Sequence, residues 1–379
     1  MNQYIFIHGK NASLSQTELR AVYGEHIQTQ TSDFTLTQSN QKISQSHQDR
    51  LGGTIKICEL IKGDLIEDIL KSSKTEKILF GVSQYGGHQR LSELLMNIKK
   101  DLKNTGKNCR FLNKNFSNIS SGQLNKSKVL DKGIDLVLCQ SKGQTWWAKT
   151  ITFQNIDAYS KRDYEKPKRD MKVGMMPPKL AQIMINLALA KPGSTIYDPF
   201  CGLGTTLMEA VLMGYQAMGS DIKGRLVNNS IQNLQWLMKE FNPKENPTHL
   251  EKKIFQHDAT QPFPKSNYPK DISVVTEGYL GPLLSSPPSP ERQTEIFSLL
   301  DDINSRFFSH ISQIIPFGKK LIISLPYFKK GSDQIFYPEE FIIKYSQKNS
   351  FDIENDLRSL LYERQNQVVG REIMIFKKV

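Results

Sequence analysis

The sequence predicts an α/β chain: a small α+β half at the N-terminus, then a Rossmann-like half built on a mostly parallel sheet. Three observations predict it. Strand and helix patterns alternate from LAQIMINLALA through STIYDPF, AMGSD, NNSIQNLQWLMKEF, KIFQHD, DISVVTE and KLIISLPYF. Such alternation means parallel strands with helices on both faces. The stretch DAYSKRDYEKPKRD (Asp157–Asp170) is polar, heavily charged and carries one proline, as a linker would. Before it, the strand–helix units are short, which suggests small α+β modules rather than a doubly wound sheet.

Taken in order, YIFIHG alternates as a strand, and Ser13 or Ser15 can cap a helix carrying Leu19, Ala21 and Val22 on one face. Residues 34–48 are rich in Gln, Ser and Asn and read as loop. GGTIKICELI is a strand and GDLIEDILKS a helix, completing a module over residues 1–70. In residues 71–156, KILFGVSQYG, CRFLN, DLVLCQS and TWWAKTITFQN are strands. LSELLMNIKKDLKNTG is an amphipathic helix closed by Gly106, and Ser120 or Ser121 caps another through Leu124 and Val129. The linker occupies 157–170 and the Rossmann-like half 171–379, ending on VVGREIMIFKK, a strand expected at a sheet edge.

The 379 residues carry a formal charge of +12, which favours a polyanionic partner such as nucleic acid. No run of about 18 apolar residues predicts a membrane span, and the start lacks the pattern of a signal peptide. Cys58, Cys109, Cys139 and Cys201 form no CxxC pair, which argues against a disulfide framework or a structural zinc and fits a reducing cytoplasm; no metal is expected.

The strongest signal is YDPFCGLGTTLMEA (Tyr197–Ala210). A strand ends in Asp198, a glycine turn follows, and Thr205 or Thr206 opens a helix. Gly202 and Gly204 let the backbone approach a ligand, and the helix N-terminus offers free N–H groups. An acid before the glycines repels a pyrophosphate but suits the ammonium or sulfonium of S-adenosylmethionine. Asp221 ends the next strand and can accept both ribose hydroxyls; Asp258 follows a third strand and can receive the adenine amino group. In the other half, Lys99, Lys100, Lys103, Lys107, Arg110 and Lys114 form a basic stretch beside Phe111 and Phe116, followed by Asn118, Ser120, Ser121 and Lys126. Cations interleaved with aromatics can track a phosphate backbone and stack on unpaired bases. A solvated helix face is the plainer reading for any single lysine.

YDPFCGLGTTLMEA, preceded by DMKVGMMPPKLAQIMINLA, resembles the amino-methyltransferases that modify guanosine 10 of tRNA at N2. The resemblance extends over nearly the whole chain. It implies an N-terminal ferredoxin-like domain (1–70), a THUMP domain holding the 3′ acceptor end of tRNA (71–156) and a Rossmann-fold methyltransferase domain (171–379). It also implies that the helix start at Met175, Met176 and Pro177 packs over the cofactor, with Phe200 beside the glycine turn. Lys99, Lys100, Lys103, Arg110, Lys114, Ser121 and Lys126 then become the expected tRNA contacts, and a small activating partner protein is possible.

The family's catalytic loop is Asp or Asn, then Pro-Pro, then Tyr or Phe. This chain reads Thr276-Glu277-Gly278-Tyr279. Methylating an exocyclic amine requires acceptors for its N–H groups, which localise the lone pair, and a platform for the base. Two registers are open: Tyr279 matched to the aromatic places Thr276 at the acid position, whereas Glu277 matched to the acid shortens the loop by one residue. Glu277 is preferred because a charged acceptor polarises the amine better than a hydroxyl. The rivals are a catalytically silent tRNA-binding protein and a DNA amino-methyltransferase with the same motif order.

Overall fold

The computed structural model describes residues 1–73, 75–87, 89–170, 175–242, 250–264, 268–364 and 367–379. Residues 171–174, part of the segment that carries the family resemblance, lie outside the described residues. The chain divides into two compact units, Met1–Ala158 and Tyr159–Val379.

The first unit is organised by one sheet. Its strands are β1 (Asn2–His8), β2 (Ile27–Gln30), β3 (Phe34–Ser39), β4 (Thr54–Leu60), β5 (Ile78–Tyr85), β6 (Cys109–Phe111), β7 (Ile134–Ser141) and β8 (Gln144–Phe153), in the order β2-β3-β1-β4-β8-β7-β5-β6. The sheet runs through both sides of the expected boundary at residues 70 and 71, because β4 pairs with β8. Residues 34–48 are not a plain loop. Phe34 and Leu36 alternate inward, β3 pairs antiparallel with β1, and a short helix spans Gln45–Arg50. A local polar composition hides a strand whose partner lies far away in sequence. The first helix begins at Ala12 with Asn11 at its N-cap. Ser15 is buried inside it and donates to the Asn11 and Gly53 carbonyls instead of capping. At the sheet's centre Lys56 and Asp135, both fully buried, pair at 2.9 Å, and the Thr150 hydroxyl donates to Asp135 at 2.6 Å.

The second unit holds β9 (Thr195–Asp198), β10 (Gln216–Asp221), β11 (Ile254–Gln256), β12 (Ser273–Thr276), β13 (Lys320–Lys330), β14 (Asp333–Phe336), β15 (Phe351–Ile353), β16 (Leu361–Tyr362) and β17 (Val369–Lys378). The order is β11-β10-β9-β12-β13-β17-β15, with β14 on β13 and β16 on β17. Strands β11, β10, β9, β12 and β13 run parallel, whereas β17 is antiparallel to β13 and β15. This is the Rossmann-like sheet predicted, with one correction. VVGREIMIF is not an edge: β17 lies between β13 on one side and β15 and β16 on the other. Its run of buried residues from Gly370 to Phe376 is what a strand covered on both faces requires.

The expected linker is helical over Ile156–Ser160 and Lys161–Glu165. Within the second unit, Arg162 is buried against Glu209 (Nε to Oε1, 2.6 Å) and lies over the Tyr159 ring at 4.5 Å. The Arg162 charge, which looks solvated in sequence, is here paired and covered.

Candidate active site

Strand β9 pairs with β10 on one side and β12 on the other, so the chain order reverses at β9. Loops leaving the carboxyl ends of β9 and β12 therefore diverge, and a crevice opens between them. A cavity of about 540 Å³ fills it, lined among others by Met176, Asp198, Phe200, Gly202, Thr205 and Asp221 from one side and by Glu277, Tyr279 and Arg371 from the other.

The glycine turn is built for this. Gly202 (φ +52°) and Gly204 (φ +80°) occupy the left-handed region that side chains disfavour. A Cβ on Gly204 would sit 2.3 Å from the Ser230 hydroxyl, so this glycine lets the helix Gly224–Phe241 pack closely. A Cβ on Gly202 would meet nothing closer than 3.9 Å, so there the backbone itself is bared. Gly204 N-caps the helix Thr205–Leu212. Lys166, buried, donates from Nζ to the Thr205 hydroxyl at 3.2 Å, and burial lowers its pKa. The Thr206 hydroxyl nears Asp198 without reaching hydrogen-bond geometry to any described partner.

Asp198 is 2% exposed, and its Oδ1 accepts the Phe200 N–H at 3.0 Å. Burial pushes its carboxyl up to about 6, against the stabilising hydrogen bond of the Thr276 hydroxyl; the Glu277 charge pushes it further up. Asp221 bridges two loops, accepting the Gly202 N–H at 3.1 Å and the Lys223 N–H at 2.9 Å, and burial raises its pKa too. An acid-rimmed cavity with bared backbone fits a ligand carrying an amino-acid cation and ribose hydroxyls.

Two expected cofactor residues are not among those that line the cavity. Asp258 follows β11 but is not among the cavity's lining residues, and its Oδ1 is taken by the Thr260 N–H and hydroxyl at 2.9 and 2.8 Å. That is the local turn bond which an acid after a strand often makes. Pro177 N-caps the helix Pro178–Leu187, leaving Met175 and Met176 to line the cavity.

In the disputed loop, Thr276 is fully buried; its hydroxyl accepts the Gly278 N–H at 3.2 Å, and it does not line the cavity. Glu277 and Tyr279 do line it, Tyr279 being 37% exposed. Gly278 has φ +67° and Gly281 φ +93°. Proline is locked near −65°, so this loop follows a path that Pro-Pro cannot take. Sequence reasoning missed Arg371: its Nε donates to Glu277 Oε1 at 2.6 Å, with the two side chains 4% and 15% exposed. The signal was an arginine inside an apolar strand, where an unpaired charge would be costly.

In the first unit, Lys100, Lys103, Arg110, Lys114 and Lys126 are exposed and Lys99 partly so. Lys99 Nζ lies 5.6 Å from the Phe111 ring centre, and Phe116 is 51% exposed on the consecutive left-handed residues Asn115 and Phe116. Ser121 does not belong to this surface. It is buried, and its hydroxyl donates to the Ile55 carbonyl at 3.4 Å; Ser120 is the exposed N-cap.

Residues 166–258 match the family UPF0020, described as the RMKL-like methyltransferase domain. The chain is 52% identical over 62 residues to the tRNA (guanine(10)-N2)-dimethyltransferase of Methanothermobacter thermautotrophicus, covering 16% of this chain and 18% of that one. It is 32% identical over 83 residues to the tRNA (guanine(10)-N(2))-methyltransferase of Saccharomyces cerevisiae, covering 22% and 19%. These matches span about a fifth of the relatives' length. TrmN from Thermus thermophilus superposes over 100% of both chains with a TM-score of 0.53 at 13% identity, a likeness of fold. The matched segment, residues 166–258, is the part of the chain that carries the acid–glycine turn and resembles the RMKL-like methyltransferase domain.

Proposed function

We propose that this protein is a cytoplasmic, S-adenosylmethionine-dependent tRNA methyltransferase acting on the exocyclic N2 amine of a guanosine, with position 10 the expected target. The observation that carries the proposal is the meeting, in one cavity, of the acid–glycine turn (Asp198, Gly202, Gly204) and the Glu277–Tyr279 loop. When bound, S-adenosylmethionine supplies an electrophilic methyl group. Asp198 holds its amino-acid cation and Asp221 its ribose, with Met176 covering it. Glu277 Oε2, which takes no hydrogen bond among the described residues, accepts an N–H of the target amine, while Tyr279 stacks on the base. The burial of Thr276 favours Glu277 as the acceptor.

Mass spectrometry of nucleosides from tRNA incubated with the protein and S-adenosylmethionine tests this: N2-methylguanosine is expected. No methyl transfer to any tRNA would favour the silent tRNA binder, and transfer to duplex DNA alone would favour the DNA amino-methyltransferase.

Asp198 must be ionised to hold a cation. With its carboxyl up near 6, cofactor affinity should be flat above about pH 7 and fall below about pH 6, approaching tenfold per pH unit. Asp198→Asn should flatten most of that slope; calorimetry at pH 5 and 8 reads it, and an unchanged slope would remove Asp198 from the site. The same shift acts oppositely on the free protein. A raised folded pKa contributes stability fully present below the ordinary value of 3.8 and lost as pH rises through about 6.

The first unit is proposed as the tRNA-binding half, its 71–156 portion doing the work of a THUMP domain. Removing the terminal CCA should weaken binding by at least about tenfold, or 1.4 kcal/mol. Log affinity should also fall linearly with log salt, at a slope near −0.7 per single-strand phosphate neutralised. Equal binding of full and truncated tRNA in a filter assay would refute end recognition.

A further inference from the structure

We propose that Arg371 is a positioning residue for methyl transfer: it holds the Glu277 carboxylate in its working orientation, a task that a proline-stiffened loop would otherwise perform. The inference rests on the functional reading above. Glu277 sits just beyond the end of β12, and the next residue, Gly278, lies at φ +67°. Glycine leaves a loop more conformational freedom than any other residue, so the local sequence does not itself fix the acid. A constraint arrives from outside the loop. Arg371 lies on β17, which is separated from β12 by β13, and it is 94 residues from Glu277 in sequence.

The arginine end of the contact is well held. Arg371 stands opposite Pro326 in the β13–β17 register, its side chain is 4% exposed, and its second nitrogen donates to Gln367 Oε1 at 3.4 Å. Its Nε reaches Glu277 Oε1 at 2.6 Å, a charge-assisted bond in a largely covered setting. Only Oε1 is engaged, so the bond sets the plane of the carboxylate and leaves Oε2 for a donor in the cavity.

The charges around Glu277 make such a partner necessary. Across the cavity from β9 stands Asp198, whose carboxyl feels the Glu277 charge; Thr276 on β12 contributes only a hydroxyl. Arg371 is the cation hydrogen-bonded to Glu277; Lys223, the other cation among the described lining residues, follows β10. Without Arg371, two carboxylates would share one partly dry cavity and repel, and Glu277 would turn away from its working orientation. The role is orientation, exerted through Glu277.

The test is a double-mutant cycle on the full chain, with cofactor affinity, melting temperature and methyl transfer to tRNA measured together. Arg371→Ala should lower kcat by about 30–300-fold, with KM for tRNA and cofactor affinity each changing less than about threefold. Added guanidinium ion should restore at least a tenth of the lost rate in Arg371→Ala and none in Glu277→Ala. Arg371→Gln, which keeps a hydrogen bond without the charge and guards against misfolding, should also be slow. Combined with Glu277→Gln, it should cost no further rate, because Arg371 acts only through Glu277. Additive losses in the double variant, or a rate loss that tracks melting temperature and resists guanidinium, would reduce Arg371 to a structural residue. Wild-type kcat in Arg371→Ala, with an active wild type, would overturn the positioning role alone. A wild type that methylates no tRNA would overturn the functional reading and leave Arg371 no reaction to serve.

Discussion

Glu277→Ala should cut methyl transfer to tRNA by about 100–1,000-fold while leaving cofactor affinity within about threefold. A single hydrogen-bonding group acting in the transition state is worth that much. Since the amine is engaged only when the base is flipped in, the loss should fall on kcat and kcat/KM together. One complication follows from the structure. Removing the carboxylate leaves the Arg371 guanidinium, 4% exposed, without its partner, and breaking such a buried pair costs about 3–5 kcal/mol. The melting temperature of Glu277→Ala must therefore be read beside its rate. Glu277→Gln separates the effects: its one amide oxygen can still accept from Arg371, so folding should survive, while the NH2 group in place of Oε2 cannot accept from the amine and the rate should fall by at least about 10–100-fold. Glu277→Ala at the wild-type rate, with Thr276→Val inactive, would transfer the acceptor role to Thr276 and reverse the register.

Gly278→Pro, which brings the loop nearer to the family's written pattern, should be more damaging than any other change at this position. Proline cannot reach φ +67°, and it removes the N–H that donates to the Thr276 hydroxyl at 3.2 Å. The expected cost is on the order of 3 kcal/mol in stability. Because the loop must then rebuild around Glu277 and Tyr279, methyl transfer should fall by at least about 100-fold, the scale of an ångström-sized misplacement. Gly278→Ala is the control. It meets strain of about 1–2 kcal/mol, and its Cβ would lie 3.3 Å from the Ile323 side chain, so a loss under about tenfold is expected. Denaturant unfolding and single-turnover methyl transfer measure both. A stable, fully active Gly278→Pro would mean that the working loop follows the proline path after all.

The sequence by itself determined the parts of this protein that are local. Asp198 at a strand end, Gly202 and Gly204 in the turn and Thr205 at the helix start are legible because a strand, a glycine turn and a helix N-terminus each follow from a few neighbouring residues. The parallel sheet was legible for the same reason, from alternation of short periodic segments. Tertiary structure decided whatever depends on a distant partner. Phe34–Ser39 became a strand only because β1 lies beside it, and Arg162 in the apparent linker is buried only because Glu209 receives it. Ser121, a ligand candidate by type and position, spends its hydroxyl on Ile55, and Asp258 turns one carboxylate oxygen to Thr260. Arg371 reads as one charge in the last strand until strand order carries it to Glu277. Propensity and turn chemistry act over a few residues, whereas a buried charge takes its meaning from the group that neutralises it, and that group is chosen by the fold.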